Sequence, residues 1–190
     1  MKKFIYASIA MLFLTGCFSG RTPDSKFFMM EQVKGNEVIS EKKLSIQVEQ
    51  ILIPDLIYKP QIVLKDADSF EVNVSEFNRW AEPLPDVLRQ TLIDDLQVCL
   101  PNAYIAPVQY TNSLLSQYVL SIEVNHFIGT FDGKALLDVW WSVQDSTGRL
   151  LFKEKTKLER EMQDSYSDYV LTQSQLVNEL AKVIATKISK

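Results

Sequence analysis

Histidine, cysteine and glycine are scarce in this chain: 190 residues include one histidine, two cysteines and six glycines. A lone His126 does not make a zinc centre, which takes three or four nitrogen, sulfur or oxygen ligands, so His126 reads as a surface or packing residue. So few glycines leave no phosphate-cradling loop, and no serine sits in a nucleophile elbow. The acidic clusters Asp94-Asp95 and Glu159-Arg160-Glu161 fall on elements that need solvated faces. Nothing spaces two carboxylates for glycoside chemistry. No catalytic, metal or cofactor motif emerges, and the chain is not expected to be an enzyme. Basic runs are missing too. With a net charge of −4, nucleic acid is a poor partner.

The apolar share of 46% is enough to fill a core. The stretch Phe4–Leu14, eleven residues after Lys2-Lys3, is too short to span a bilayer as a helix but fits the core of a secretory signal. Leu14-Thr15-Gly16-Cys17 follows and resembles a bacterial lipobox. That resemblance implies recognition of Leu14, Thr15 and Gly16 by signal peptidase II, cleavage before Cys17, and diacylglycerol on its thiol. An ordinary cleaved signal is the plainer reading. Phe18 stands where an aspartate tends to retain enteric lipoproteins in the inner membrane, which implies an outer-membrane address facing the periplasm. Acyl chains would hold the protein stably without a transmembrane helix. With Cys17 committed to lipid, Cys99 has no disulfide partner and reads as a small buried hydrophobe.

Residues 1–16 are therefore expected to be a signal peptide, 17–26 a lipidated tether, and 27–190 a single domain. The tether FSGRTPDSK (18–26) is polar and reaches roughly 30 Å when extended, so the domain stays near its membrane. Phe27-Phe28-Met29-Met30 reads as an edge strand. The other reading is an exposed patch for lipid or a partner.

Alternating apolar residues predict strands at Leu44–Ile53, Ile62–Leu64, Phe70–Val74, Tyr118–Asn125, Leu137–Gln144 and Leu150–Leu158, with a short one at Tyr104–Val108. On one of these, Leu137, Val139, Trp141 and Val143 share a face, and Asp138, Trp140, Ser142 and Gln144 the opposite one. Lys153, Lys155 and Lys157 form a solvated row. Leu84, Leu88, Leu92 and Leu96 predict an amphipathic helix ending near Cys99, with Pro83 and Pro85 at its start. Tyr166–Ile188 is a second such helix. The expected fold is α+β: a mainly antiparallel, possibly mixed, sheet with both helices on one face.

Several stretches together resemble the PqiC-like, ABC-type transport auxiliary lipoproteins. They are the lipobox, the early aromatic strand, the spacing of Val48, Ile53-Pro54 and Pro60-Gln61-Ile62-Val63, and above all Arg79-Trp80-Ala81-Glu82-Pro83-Leu84. Two stretches depart from the family pattern, Phe27-Phe28 replacing a tyrosine pair and Ile57-Tyr58-Lys59 replacing a Tyr-Leu-Asp-like run. The resemblance implies a non-catalytic outer-membrane component that works beside an MCE-domain membrane protein, docking or stabilising a phospholipid conduit. A homo-oligomer would suit a symmetric conduit. Arg79, Trp80 and Glu82 form the family signature. They read either as a structural plug at the helix start or as a docking surface. Trp140, opposite its strand's apolar face, is the better candidate for an exposed contact. The alternatives are a pilotin or assembly factor of another envelope machine, or a carrier with its own lipid cavity.

Overall fold

The computed structural model describes residues 22–33, 37–66, 71–108, 116–163 and 165–190. Leu14, Thr15, Gly16 and Cys17 lie outside them, as does the first half of the tether, residues 17–21. In chain order the elements are β1 (Lys26–Phe28), β2 (Ser45–Val48), β3 (Gln61–Lys65), β4 (Val72–Trp80), α1 (Leu84–Cys99), β5 (Tyr104–Pro107), β6 (Tyr118–Thr130), β7 (Lys134–Asp145), β8 (Leu150–Glu161) and α2 (Tyr166–Ile188).

The spine is β6. Its alternation buries Leu120, Ile122 and Val124 and leaves Glu123 exposed. A bulge between Val124 and His126 inserts one residue. Phe127 then returns to the buried side, where unbroken alternation would have put His126. One edge of β6 pairs antiparallel with β7 along its length, and β8 continues the ladder. The turns between them carry Gly133 and Gly148 at φ of 89° and 80°, a left-handed backbone that glycine adopts without steric cost. The other edge of β6 is shared. Parallel β2 pairs with Tyr118–Leu120 and parallel β3 with Gly129-Thr130. Leu52 bridges to Glu123 between them.

The expectation of a mainly antiparallel sheet is corrected by this arrangement. The eight-stranded sheet is mixed, with four parallel pairings among its seven, β1–β4, β2–β5, β2–β6 and β3–β6. The three antiparallel pairings, β3–β4, β6–β7 and β7–β8, are all between consecutive strands. Every parallel pairing joins strands separated in the chain. Parallel neighbours need crossovers, and side-chain alternation carries no sign of strand direction.

Both helices pack against the same sheet face. Leu88 and Leu92 of α1 and Val177 and Leu180 of α2 meet Ile122, Val124, Leu137 and Val139 around a small void. Helix α1 starts at Pro83, with Asp86 in its first turn, where negative charge is favoured. Ser165 caps α2 by accepting the Asp168 N–H at 3.0 Å, and Lys187 sits in the last turn. Tyr169 of α2 lies over Gly129, where a methyl group would come within 2.6 Å of its ring. Burial pushes the Tyr169 hydroxyl well above the usual tyrosine range, with Gln173 acting in the opposite direction. Cys99 is fully buried. Burial, then the charge of Asp95, raises its thiol pKa, which keeps it protonated and weakly nucleophilic. Among the described residues no helix is long and apolar enough to cross a membrane.

Candidate functional site

Helices cover one face of the β6–β8 ladder, and the opposite face is open. Strand alternation turns Trp140 outward, and it is 38% exposed. It stands opposite Glu123 on β6 and Lys155 on β8. The Lys153 ammonium lies 5.4 Å from the centre of the Trp140 ring, a cation–π contact that contributes about 0.5–1 kcal/mol at an exposed site. Lys153, Lys155 and Lys157 share this face and are exposed.

Beside Trp140, Asp138 is buried with its carboxylate satisfied. Lys155 Nζ reaches Asp138 Oδ2 at 3.1 Å, and Asn125 Nδ2 donates to Oδ1 at 3.2 Å. His126 Nδ1 is 3.7 Å from Oδ2, beyond hydrogen-bond reach. Burial pushes the Asp138 carboxyl up. The bonds from Lys155 and Asn125, with the charges of Lys155 and His126, outweigh it and hold the carboxyl below its ordinary value of 3.8. The cluster therefore holds a fixed negative charge beneath a row of lysines. Where β2 parts from β6, a groove of about 420 Å³ runs past Trp140, lined by Glu49, Leu52, Arg89, Val108, Glu123 and Lys153 among others. An aromatic anchor, mixed charges and an apolar rim suit recognition of a protein surface. Among the described residues no three His, Cys, Asp or Glu side chains gather to hold a metal.

The structure places the signature residues elsewhere. Arg79 and Trp80 are the last residues of β4 and do not yet belong to the approach to α1. Backbone bonds hold this end on both sides: Trp80 N–H donates to Pro60 O at 2.7 Å, and Ala81 N–H to Phe28 O at 2.8 Å. The Trp80 side chain is buried, its ring 6.1 Å from Phe127 and 6.2 Å from Tyr169. Arg79 is half-buried and Glu82 exposed. Trp80 and Glu82 line one groove, which Arg79 does not join, and Trp140 belongs to a different surface.

The signature also walls a second groove of about 420 Å³, with Phe27, Tyr58, Pro60, Trp80, Pro83 and Pro85 along it. Phe27 and Tyr58 are 65% and 60% exposed. Sequence reasoning singled out Phe27 but missed Tyr58. The signal was there in Tyr58-Lys59-Pro60, an aromatic beside a proline that ends no strand. Asp138 was missed as an ionic centre, although its place two residues from Trp140 assigned it to the open face.

The model of the family described as ABC-type transport auxiliary lipoprotein component matches residues 30–185. The intermembrane transport lipoprotein PqiC of Escherichia coli (strain K12) is 29% identical over 192 aligned residues, which cover 100% of this chain and 99% of that protein. A crystal structure of an uncharacterized protein has 26% identity and a TM-score of 0.75, covering 88% of this chain and all of that one. A Xanthomonas campestris protein at 14% identity shares the fold, with a TM-score of 0.71 over 86% of this chain and 95% of its own. The chain belongs to the ABC-type transport auxiliary lipoprotein family.

Proposed function

As the reading that follows from this family membership, we propose that the protein is a non-catalytic lipoprotein component of an MCE-type intermembrane phospholipid transport system. Cys17 carries the lipid anchor and holds the domain on the periplasmic side of the outer membrane. The open β6–β8 face, with Trp140 at its centre, docks against the tip of the MCE-domain protein and stabilises the conduit there. The observation that carries this reading is the full-length likeness to an intermembrane transport lipoprotein. A solvent-facing tryptophan flanked by lysines on a large open sheet face supports the docking surface, since tryptophan is enriched where interfaces concentrate their energy. Several copies around one conduit would present this face with the conduit's symmetry.

The test is affinity isolation of the lipidated protein from detergent-solubilised envelopes, followed by mass spectrometry, with Cys17→Ala as control. Recovery of an MCE-domain protein, reduced by Trp140→Ala, is the expected result. Recovery of pilus or secretion components would transfer the protein to another envelope machine. Bound phospholipid and no protein partner would make it a carrier.

A further inference from the structure

We infer that the apolar rim formed by Phe27, Tyr58 and Leu52 is the surface on which the domain rests against the bilayer that holds its anchor. This rests on the reading of Cys17 as the lipidated residue. Three observations carry it. First, the rim is continuous. The signature groove and a shallower one lined by Leu52, Ile53 and Asp55 share Tyr58 and Pro85 as a common wall. Phe27, Tyr58 and Leu52 are each at least 60% exposed along it, grouped on adjoining grooves rather than scattered singly. Second, the chain reaches the domain at this rim. Phe27 belongs to β1, the first described strand, and Cys17 precedes it by ten residues. Even an extended segment of that length spans only about 35 Å, and a chain relaxed below full extension brings the rim closer. Third, Lys59 lines the groove beside Tyr58, and Lys26 precedes Phe27. Cations next to aromatic rings match the headgroup level of a membrane containing anionic lipid. Glu82 also lines the groove, so the contact is shallow rather than inserted.

The consequence is an orientation. In the sheet β1 is reached from β7 through β6, β3 and β4, four strand spacings or about 20 Å. With the β1 end on the membrane, Trp140 and the lysine row lie far along the sheet from β1, and Leu52, which also lines the Trp140 groove, marks where the two surfaces meet.

The experiment uses the lipidated full chain in vesicles of phosphatidylethanolamine and phosphatidylglycerol (3:1) with brominated acyl chains, which quench nearby tryptophan. Phe27→Trp is compared with Leu150→Trp, a position on β8 that is also exposed, and Tyr58→Trp provides a second rim reporter should the first variant misfold. Expected is a loss of emission from the Phe27→Trp or Tyr58→Trp protein beyond that of the unsubstituted chain, with no added loss for Leu150→Trp. Acylated protein with equal quenching at the rim and at position 150, or none at the rim, overturns the membrane face alone. So does Phe27→Cys cross-linking two copies, because the rim would then be covered by protein. An intact mass without diacylglycerol on Cys17 overturns the anchor reading and the membrane face with it.

Discussion

Trp140 and Trp141 are neighbours on β7, and they belong to regions built on different principles. Trp141 turns under the helices, fully buried, with its indole N–H donating to Thr156 Oγ1 at 2.9 Å and its ring edge-on to Phe152 at 5.8 Å. Its strand turns Leu137, Val139 and Val143 to the same face, all buried, and Leu88, Val177 and Leu180 of the helices pack over Leu137 and Val139. Trp140 turns the other way, among Asp138, Lys153, Lys155 and Glu123. The covered face supplies the stability through area removed from water. The open face contributes little to folding and is therefore free to carry charge and an aromatic anchor. The two roles are separated by a single residue step.

That separation can be broken by substitution. The largest effect falls on the covered face. Trp141→Ala is expected to cost about 3–5 kcal/mol through lost burial and an unfilled cavity, read as a lower urea midpoint. A loss no larger than that of Trp140→Ala would erase the distinction. Next is Gly129→Ala. The added methyl must displace the Tyr169 ring, so a loss of about 1–3 kcal/mol is expected from overpacking, with Tyr169→Leu in the same background relieving part of it.

On the open face the pH dependence sharpens the comparison. The folded pKa of Asp138 is depressed below its ordinary 3.8. Its contribution is therefore complete above that value and is lost as pH falls through the folded pKa. The stability gap between the protein and Asp138→Asn should be steady between about pH 5 and about pH 4, where the charge of His126 no longer changes much, and then narrow. A gap that stays fixed at still lower pH would show that the carboxylate charge does not matter. The smallest effect on stability is that of Trp140→Ala, about 0.5–1 kcal/mol from the lost Lys153 contact, even though the same substitution should deplete the partner in affinity isolation.

Much of this division was legible in the residues. The alternation of Leu137, Val139, Trp141 and Val143 with Asp138, Trp140, Ser142 and Gln144 assigned both faces of β7 correctly, because strand side chains alternate strictly. Leucines at four-residue intervals placed α1, and its end at Cys99 followed from Pro101-Asn102. Other features were hidden. Arg79-Trp80 reads as a lead into the helix because Pro83 follows it closely. Pairing with Phe27 and Phe28 on one side and Gln61 on the other makes it the end of β4. The bulge after Val124 breaks the alternation just where His126 falls, so its outward position came from a misfit in register. The groove along Phe27, Tyr58 and Trp80 gathers three separate segments, and no local pattern points to it.

By itself the sequence determined which residues of the long strands face the core, where two amphipathic helices form, and the signature that identifies the family. These depend on periodicity and turn chemistry, which act within a few residues. The tertiary structure alone decided that β1 meets β4, that β2 and β3 share one edge of β6 in parallel, and that the signature tryptophan fills the core between Phe127 and Tyr169. Those choices bring together residues dozens of positions apart. They are made by which arrangement buries every apolar stripe at once while pairing the strand backbones.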